Sequence, residues 1–204
     1  MQLIGRYLSP FVRRVATTMN LYQIPFEQRA LMTSGEDREL VRESNPVTRV
    51  PALILDDGEI LVDSAAILDY LDEQAGPERA LTPPGGRRRR QVLKLMAIAA
   101  GAAEKSVLTV YEKRYRPEEK WHAPWVEMCA SQARDGFTWL NAALEGPWLL
   151  GDEMTQADVT AVCSYDFVRA ANPELFATLQ CPELDALSER ANALPAFEST
   201  QPAV

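Results

Sequence analysis

The sequence predicts a chain in two parts, an α/β domain followed by an all-α helical-bundle domain. Short β-like segments and amphipathic segments alternate over residues 1–76. A stretch rich in proline and glycine, residues 77–86, is interpreted as a linker. Over residues 87–204 the apolar residues recur at helical spacing, and no segment has a convincing strand pattern.

The predicted element order of the first part is βαβ, a short helix, then ββα. The segment "QLIGRYL" is β-like, and "PFVRRVATTMNLYQI" carries its apolar residues at helical spacing. A second strand is predicted for "FEQRALM", and a weak, mobile helix for the polar "SGEDRELVRESN".

A β-hairpin and a further helix complete the first part. In "PALILDDGEILVD" two apolar runs flank Asp57-Gly58, a pair suited to the positive φ of a tight turn. The amphipathic segment "SAAILDYLDEQAG" then predicts a helix that ends at Gly76.

Four helical patterns follow the linker. The first spans residues 87–116 and is expected to bend near Gly101. The second spans residues 117–144, with an interruption expected near Pro124. Two further helices are predicted from "TQADVTAVCSYDFVRAAN" and "CPELDALSERANAL".

The composition is that of an ordinary globular protein, with 47% hydrophobic residues. The formal net charge of −8 weighs against nucleic acid as the main partner. The one basic run, residues 87–90, is interpreted as a solvated helix face or a subunit contact. No apolar run approaches the roughly 20 residues of a membrane span, and no secretory signal is recognised at "MQLIGRYL".

The cysteine and histidine content bounds the chemistry. Cys129, Cys163 and Cys181 are far apart and lack metal-ligand spacing, so reduced thiols and a cytoplasmic location are expected. His122 is the only histidine, which excludes a cluster of histidine metal ligands and leaves little room for a Ser-His-Asp triad. A structural or surface role is expected for it.

Ser9 lies where the first β-like segment meets the first helix. A hydroxyl there suits a helix N-cap, and Pro10 suits the first helical position, where no N–H partner is lost. A second interpretation stays open. A helix N-terminus favours negative charge, and a hydroxyl at that point can donate to a bound thiolate and lower its pKa.

Two further dipeptides have both a structural and a functional interpretation. Val50-Pro51 opens a strand, or in a cis form turns the N–H and C=O of Val50 toward a ligand. Asp63-Ser64 caps a helix, or holds an amino-acid head group. In that second case Asp63 accepts from the ammonium group, while Ser64 and free helix N–H groups receive the carboxylate.

The order of these features resembles the glutathione S-transferase family. Ser-Pro-Phe follows the first strand, Val-Pro precedes the hairpin, Asp-Ser precedes a helix, and a linker and a helical half come after. The resemblance covers the whole chain and is strongest over residues 45–73. In "GDEMTQADVTA" the chain is similar to the family's buried capping box, where Thr155 caps a core helix and Asp158 reaches back to its N–H.

This resemblance implies a thioredoxin-like first domain and a glutathione transferase activity. Glutathione is then a co-substrate, with no other cofactor and no metal. The second substrate is expected to be a small electrophilic or hydrophobic molecule. The resemblance further implies a homodimer. The net charge and the lack of a long apolar run predict that neither nucleic acid nor a membrane is a partner.

The resemblance also implies roles for individual residues. Ser9 is expected to be catalytic, as the hydroxyl that stabilises the glutathione thiolate. Val50 is expected to pair its main chain with the cysteinyl part of glutathione, with Pro51 cis, and Asp63 and Ser64 are expected to hold the γ-glutamyl end. The implied glutathione-binding residues are Phe11, Arg49, Val50, Pro51, Asp63 and Ser64.

Several assignments have alternatives. Arg49 is assigned to the glycyl carboxylate of glutathione, and Phe11 lines the site or packs in the core. Tyr7 competes with Ser9, because some classes of the family use a tyrosine near the end of the first strand. Disulfide reduction is disfavoured, since no cysteine lies at or beside Ser9. The isomerase branch often carries Ser-Ser-Cys, and Leu8-Ser9-Pro10 departs from that pattern.

Two other functions compete with a conjugating enzyme, namely a non-enzymatic adaptor of the stringent starvation protein type and a carrier of apolar ligands. Candidate contacts for an apolar molecule lie in the helical half, although aromatic residues at helical spacing are more often core. These candidates are Leu108, Tyr111, Tyr115, Trp121 and Trp125. Leu95, Met96 and Ile98 are expected to pack on a partner subunit or in the core.

Overall fold

The computed structural model describes residues 1–202, and residues 203 and 204 of the predicted helical domain lie outside the described residues. The chain forms two compact units. One contains residues 1–89 together with the described residues from Asn192 onward, and the other contains residues 90–191. Over the described part of the chain, no helix combines the length and the apolar character that a membrane span requires.

The first unit contains a four-stranded mixed sheet. Its strands are β1 (Gln2–Ile4), β2 (Glu27–Arg29), β3 (Ala52–Ile54) and β4 (Ile60–Leu61), in the spatial order β2-β1-β3-β4. β1 and β2 are parallel, whereas β3 is antiparallel to both β1 and β4. This arrangement confirms the predicted thioredoxin-like α/β fold.

Helices flank this sheet. α1 (Pro10–Tyr22) provides the crossover that the parallel β1–β2 pair requires, and it packs against α3 (Ser64–Ala75). The polar segment before β3 forms a 3₁₀ turn, Gly35–Asp37, and the seven-residue helix α2 (Arg38–Ser44). Val41 is the buried residue of α2, which is consistent with the sparse apolar pattern of that segment.

The second unit is helical, as predicted. It is formed mainly by α4 (Gly86–Tyr115), α5 (Ala123–Ala142), α6 (Gln156–Ala171), α7 (Pro173–Phe176) and α8 (Pro182–Asn192). α4 continues without a break through Gly101. The expected interruption near Pro124 is confirmed: a 3₁₀ turn, Glu118–Lys120, is followed by two non-helical residues before α5 begins. Pro124 lies in the first turn of α5, where a helix does not need the missing N–H.

The segment from Asn192 onward packs against α1 through buried polar groups. It includes a short helix, α9 (Pro195–Glu198). The guanidinium of Arg13, only 1% exposed, donates to Asn192 Oδ1 at 2.7 Å. The hydroxyls of Thr17 and Thr200 are 2.8 Å apart and both residues are buried. α1 is therefore held from one side by a segment distant in sequence.

A second polar cluster holds the C-terminal end of α1. The hydroxyl of Tyr22 donates to the carboxylate of Asp72 on α3. The backbone N–H of Leu81 donates to Tyr22 Oη at 2.6 Å and to Asp72 Oδ1 at 3.1 Å. Burial, followed by the hydrogen bond to Asp72, raises the pKa of Tyr22, so the phenol stays protonated and keeps its donor role.

The predicted capping box is present at the start of α6. Thr155 is the N-cap, and Asp158 Oδ2 accepts from the Thr155 backbone N–H at 2.8 Å. Asp158 Oδ1 accepts from the Leu149 N–H at 2.7 Å, which ties the preceding loop to the helix. The carboxyl of Asp158 is fully buried, and this burial raises its pKa while the hydrogen bonds act in the opposite direction.

Replacing Asp158 with alanine is expected to lower the free energy of unfolding by about 3 kcal/mol, because two buried N–H groups lose their acceptor. Urea unfolding followed by circular dichroism measures this change. Asp152→Ala, at an exposed position of the same loop, is the matched control and should change stability by less than about 0.5 kcal/mol. Equal losses of unfolding free energy in the two variants would show that the buried hydrogen bonds of Asp158 do not stabilise the fold.

Candidate functional site

Three chain segments meet at one edge of the sheet. Ile4 faces Ala52 in the antiparallel pair β1–β3, so the end of β1 lies beside the start of β3. Leu53 faces Leu61 in the antiparallel pair β3–β4, so β4 also ends at this edge. We call it the site edge. The residues that the sequence singled out after β1, before β3 and after β4 are Ser9, Val50, Pro51, Asp63 and Ser64.

Ser9 is the N-cap of α1 and is half-buried. Its Oγ accepts from the Val12 N–H at 3.5 Å, which is long for such a hydrogen bond. The capping and ligand-binding interpretations are compatible, because capping uses a lone pair of the oxygen and leaves the hydroxyl proton to donate. The structure therefore supports the cap and leaves the donor role available.

Tyr7 lies in the same short connection between β1 and α1. The Ser9 backbone N–H donates to the Arg6 carbonyl at 3.0 Å, which closes a turn around Tyr7. Burial raises the pKa of the Tyr7 phenol, so this group is neutral and able to donate at neutral pH. Both hydroxyls remain candidate donors, and of the two Ser9 is the one at a helix N-terminus.

The loop before β3 is held by Asn45, which sequence reasoning did not assign to the site. This buried side chain donates from Nδ2 to the Arg49 carbonyl at 3.0 Å and accepts at Oδ1 from the Val47 N–H at 3.0 Å. The Val50–Pro51 peptide bond is cis, as the family resemblance implies. Asn45 thus fixes the short stretch that presents the main chain of Val50.

Gly5 brings this loop close to the Ser9 region. It has φ +124°, a conformation that residues with a side chain rarely adopt. A Cβ added at Gly5 would lie 2.6 Å from Val12 Cγ2 and 2.9 Å from Val50 Cβ. Only glycine therefore lets the end of β1 pass between the first turn of α1 and Val50.

Asp63 and Ser64 form the start of α3. Asp63 is the exposed N-cap, and its Oδ1 accepts from the Ala65 N–H at 2.9 Å. Ser64 is 3% exposed and occupies the first helical position. The capping interpretation of Asp63 is thereby observed, and its exposed carboxylate is still accessible to a cationic ligand group.

Arg14 is a second residue that sequence reasoning missed. From α1 its Nη2 and Nε donate to Ser64 Oγ at 2.6 and 3.2 Å, and the guanidinium is 6% exposed. Its carbon Cζ lies 5.7 Å from the centre of the Phe11 ring. The only signal in the sequence was a charged residue on the otherwise apolar side of a helix. Phe11 accordingly packs beside this cation.

The remaining residues that the sequence singled out are Arg49, His122 and the three cysteines. Arg49 is exposed next to Val50. His122 is exposed at the start of α5, where its backbone N–H donates to Glu112 Oε1 at 3.1 Å. The three cysteines are buried and form no disulfide. Within residues 1–202, no group of acidic, histidine or cysteine side chains is arranged to hold a metal ion.

The aromatic candidates of the helical unit are exposed rather than core. Tyr111 and Tyr115 on α4 stack edge to face with 5.2 Å between ring centres. The indole Nε1 of Trp121 donates to the Arg116 carbonyl at 2.9 Å. The exposed fractions range from 37% to 54% for Leu108, Tyr111, Tyr115, Trp121 and Trp125. Leu95 and Met96, in contrast, are buried.

The site edge has the properties of a receptor for a small zwitterion. α1 and α3 both begin there, and the first N–H groups of a helix together with its dipole favour an anion. Two hydroxyls and a buried guanidinium add to this positive character, while the Asp63 carboxylate suits an ammonium group. The main chain of Val50 lies between the two helix starts along the sheet edge.

Comparison with known proteins identifies relatives over both units. Residues 3–79 match the family model for the glutathione S-transferase N-terminal domain. Residues 123–194 match the model for the glutathione S-transferase C-terminal domain. A probable maleylacetoacetate isomerase of Vibrio cholerae is 30% identical, covering 98% of this chain and 94% of that protein.

Solved structures share the fold. A glutathione S-transferase from Methylobacterium radiotolerans, in complex with glutathione sulfonate, superimposes with a TM-score of 0.91. It is 27% identical and covers 100% of this chain and 95% of that one. A glutathione transferase family member from Pseudomonas fluorescens Pf-5, with bound S-(propanoic acid)-glutathione, has a TM-score of 0.86. It is 30% identical, with 100% of both chains covered.

Replacing Gly5 with alanine is expected to lower the free energy of unfolding by about 2–3 kcal/mol, because the new Cβ overlaps two side chains and the backbone has a positive φ. Chemical denaturation measures the loss. Gly85→Ala is the control, since no atom lies within 4 Å of its added Cβ. A loss no larger than that of the control would show that the site edge tolerates a wider spacing.

Proposed function

Because this chain belongs to the glutathione S-transferase family and is a glutathione-dependent enzyme, we propose that it conjugates glutathione to an electrophilic, apolar second substrate. One observation carries the proposal. The hydroxyl of Ser9, the main chain of Val50 and the Asp63-Ser64 pair lie at one edge of one sheet. Glutathione is a tripeptide with a thiol in its middle residue, and its chemical groups fit the order of these residues along the sheet edge.

In this proposal Ser9 activates the thiol. Its hydroxyl donates to the sulfur and, with the N-terminal dipole of α1, stabilises the thiolate over the thiol. Each unit by which the thiol pKa falls corresponds to about 1.4 kcal/mol of stabilisation. The thiolate is the nucleophile, so a lower pKa raises the reactive fraction at neutral pH. Tyr7 is the alternative donor in the same connection.

The other proposed contacts fix the orientation of glutathione along the sheet edge. The N–H and C=O of Val50, with Pro51 cis, pair with the cysteinyl main chain. Asp63 accepts from the γ-glutamyl ammonium, and Ser64 with the first N–H groups of α3 binds the γ-glutamyl carboxylate. Arg49, an exposed residue, is proposed to bind the glycyl carboxylate. Phe11 supports this side of the site through its contact with Arg14.

The proposed reaction needs no metal and no cofactor besides glutathione as co-substrate. The thiolate donates an electron pair to the electrophilic carbon, a carbon–sulfur bond forms, and the leaving group departs with the electrons of the bond that breaks. Catalysis comes from stabilisation of the thiolate and from holding both reactants together.

A second candidate function is cis–trans isomerisation, because curated relatives of Vibrio cholerae and Pseudomonas aeruginosa are named as probable or known maleylacetoacetate isomerases. The two reactions share attack of the thiolate on an electrophilic carbon. In isomerisation the carbon–sulfur bond breaks again after rotation, so glutathione is released unchanged. Consumption of glutathione therefore separates them. Leu8-Ser9-Pro10 is the local pattern that favours conjugation.

The cellular setting and assembly state are also proposed. We expect a cytoplasmic enzyme, where glutathione is abundant and the three buried thiols stay reduced. We expect a homodimer, with neither nucleic acid nor a membrane as partner, in line with the net charge of −8. Sedimentation velocity on the purified chain measures the assembly state directly.

Glutathione binding is the first test of this function. Calorimetry is expected to detect binding by the wild type, and Asp63→Ala is expected to weaken it by about tenfold or more, because a charge-assisted contact is lost. Glu73→Ala, an exposed carboxylate near the end of the same helix, should leave the affinity unchanged. A folded wild type that does not bind millimolar glutathione would overturn the proposed function and favour an adaptor.

Ser9→Ala is expected to shift the rise of kcat/KM with pH upward by about one to two pH units, because the free thiol becomes harder to ionise without its donor. The assay follows conjugation of an aromatic chloride and loss of glutathione between about pH 6 and pH 10, the range in which a thiol titrates. Ser9→Thr keeps the hydroxyl and should retain most of the wild-type profile. If the pH profile of Ser9→Ala is not shifted, Ser9 is not the donor to the thiolate and Tyr7 becomes the candidate.

A further inference from the structure

One face of α1 carries polar residues that contact residues 192–200, which we call the strap. Arg13, Thr17 and Asn20 recur at spacings of four and three residues, so they form a single stripe along the helix. The side chain of each makes a hydrogen bond with the strap. Ser9 lies four residues before Arg13, so the stripe leads back to the N-cap of α1.

Arg13 is held through its side chain and through its main chain. The guanidinium is 1% exposed, donates to Asn192 Oδ1 at 2.7 Å and lies 3.5 Å from the Phe197 carbonyl oxygen. The backbone N–H of the same residue donates to the Ser9 carbonyl at 2.9 Å and closes the first turn of α1. The strap therefore fixes the residue whose main chain holds the N-cap.

The capping hydrogen bond of Ser9 is the weaker constraint on this turn. Val12 donates to Ser9 Oγ at 3.5 Å, which is long for an N–H donating to oxygen. The bond from Arg13 to the Ser9 carbonyl is shorter and continues into a buried side-chain anchor. The orientation of the Ser9 hydroxyl thus depends on how firmly Arg13 is anchored.

We infer that Arg13 is a positioning residue for Ser9, and that through it the strap directs the Ser9 hydroxyl toward the thiol of glutathione. The inference rests on the proposed function and adds to it a segment that is remote in sequence from the site edge. Because the guanidinium is buried against the strap, Arg13 acts on the thiol through the first turn of α1.

The ionisation of bound glutathione tests the inference. The ultraviolet absorbance of the thiolate, followed as the pH is raised, gives the thiol pKa in the complex. We expect Arg13→Met to raise this pKa by about 0.5 to 1, because a misdirected hydroxyl stabilises the thiolate less well. Asn192→Ala should give the same upward shift, and since it leaves the charge of Arg13 in place, the shift then comes from anchoring.

A double variant shows whether the effect passes through Ser9. In Ser9→Ala the hydroxyl is gone, so adding Arg13→Met should shift the pKa of bound glutathione no further. Shifts that add in the double variant would overturn the inference, because Arg13 would then act on the thiolate independently of Ser9.

Thr17→Val is the matched control for a general loosening of the strap. It removes a buried hydrogen bond to Thr200, one turn farther from Ser9, and keeps the shape of the side chain. We expect it to destabilise the fold in urea unfolding and to leave the thiol pKa at the wild-type value. A shift in Thr17→Val as large as that in Arg13→Met would overturn the inference.

S-Methylglutathione has no thiol to ionise, so its affinity reports on the rest of the site. Its Kd, measured by calorimetry, should stay within about twofold of the wild-type value in Arg13→Met and Asn192→Ala. A larger loss would show that these substitutions disorder the site edge as a whole, which would overturn the inference.

If circular dichroism shows that Arg13→Met does not fold, Asn192→Ala takes its place in every comparison. Arg13→Lys keeps a donor at this position and should give a pKa between those of the wild type and Arg13→Met. A folded anchor variant whose bound glutathione ionises as in the wild type would overturn this inference alone. A wild type that binds no glutathione would overturn the proposed function with it.

Discussion

The antiparallel pairing of β3 with both of its neighbours is the constraint on which the site depends. A strand between two antiparallel partners begins where both partners end. Backbone pairing by itself therefore brings together the connections after β1, before β3 and after β4. Ser9, Val50 and Ser64 lie far apart in sequence, yet this register fixes their neighbourhood. Glycine at position 5 then sets the spacing, because the backbone at the end of β1 passes between Val12 and Val50. The positions of the site residues are therefore determined mainly by backbone geometry.

Polar contacts, both buried and exposed, make this neighbourhood a defined binding site. Asn45 fixes the stretch before Val50, Asp63 caps α3, and Arg14 joins α3 to α1 through Ser64. Asn45 and Arg14 satisfy partners that are otherwise unfavourably buried, whereas Asp63 satisfies an exposed N–H in the first turn of α3. The same groups carry the charges and dipoles that a zwitterionic peptide requires. Stability and recognition are thus supplied largely by the same hydrogen bonds at this edge.

Much of this architecture could be predicted from the sequence, and the exceptions have a common cause. Periodicity, the Asp57-Gly58 turn and the capping pattern at Thr155 are local signals, and they gave the elements and the order of the site residues. Arg14 and Asn45 act on partners that only the folded chain brings near. Periodicity carries no information on such partners, and a charged residue within an apolar stripe was the sole hint of Arg14. Pro124 correctly marked the interruption of the helical pattern, because proline is unfavourable in a helix interior and suits a first turn.

The return of the segment from Asn192 onward to α1 makes the α/β unit discontinuous in sequence. Residues 90–191 are inserted between its two parts, so the buried guanidinium of Arg13 meets its amide partner only after the whole helical unit has been synthesised. During translation the first 89 residues leave the ribosome without the contacts that later cover one side of α1. Long sequence separation between contacting parts slows folding, so the last contacts of this unit form only after a loop of about 100 residues has closed.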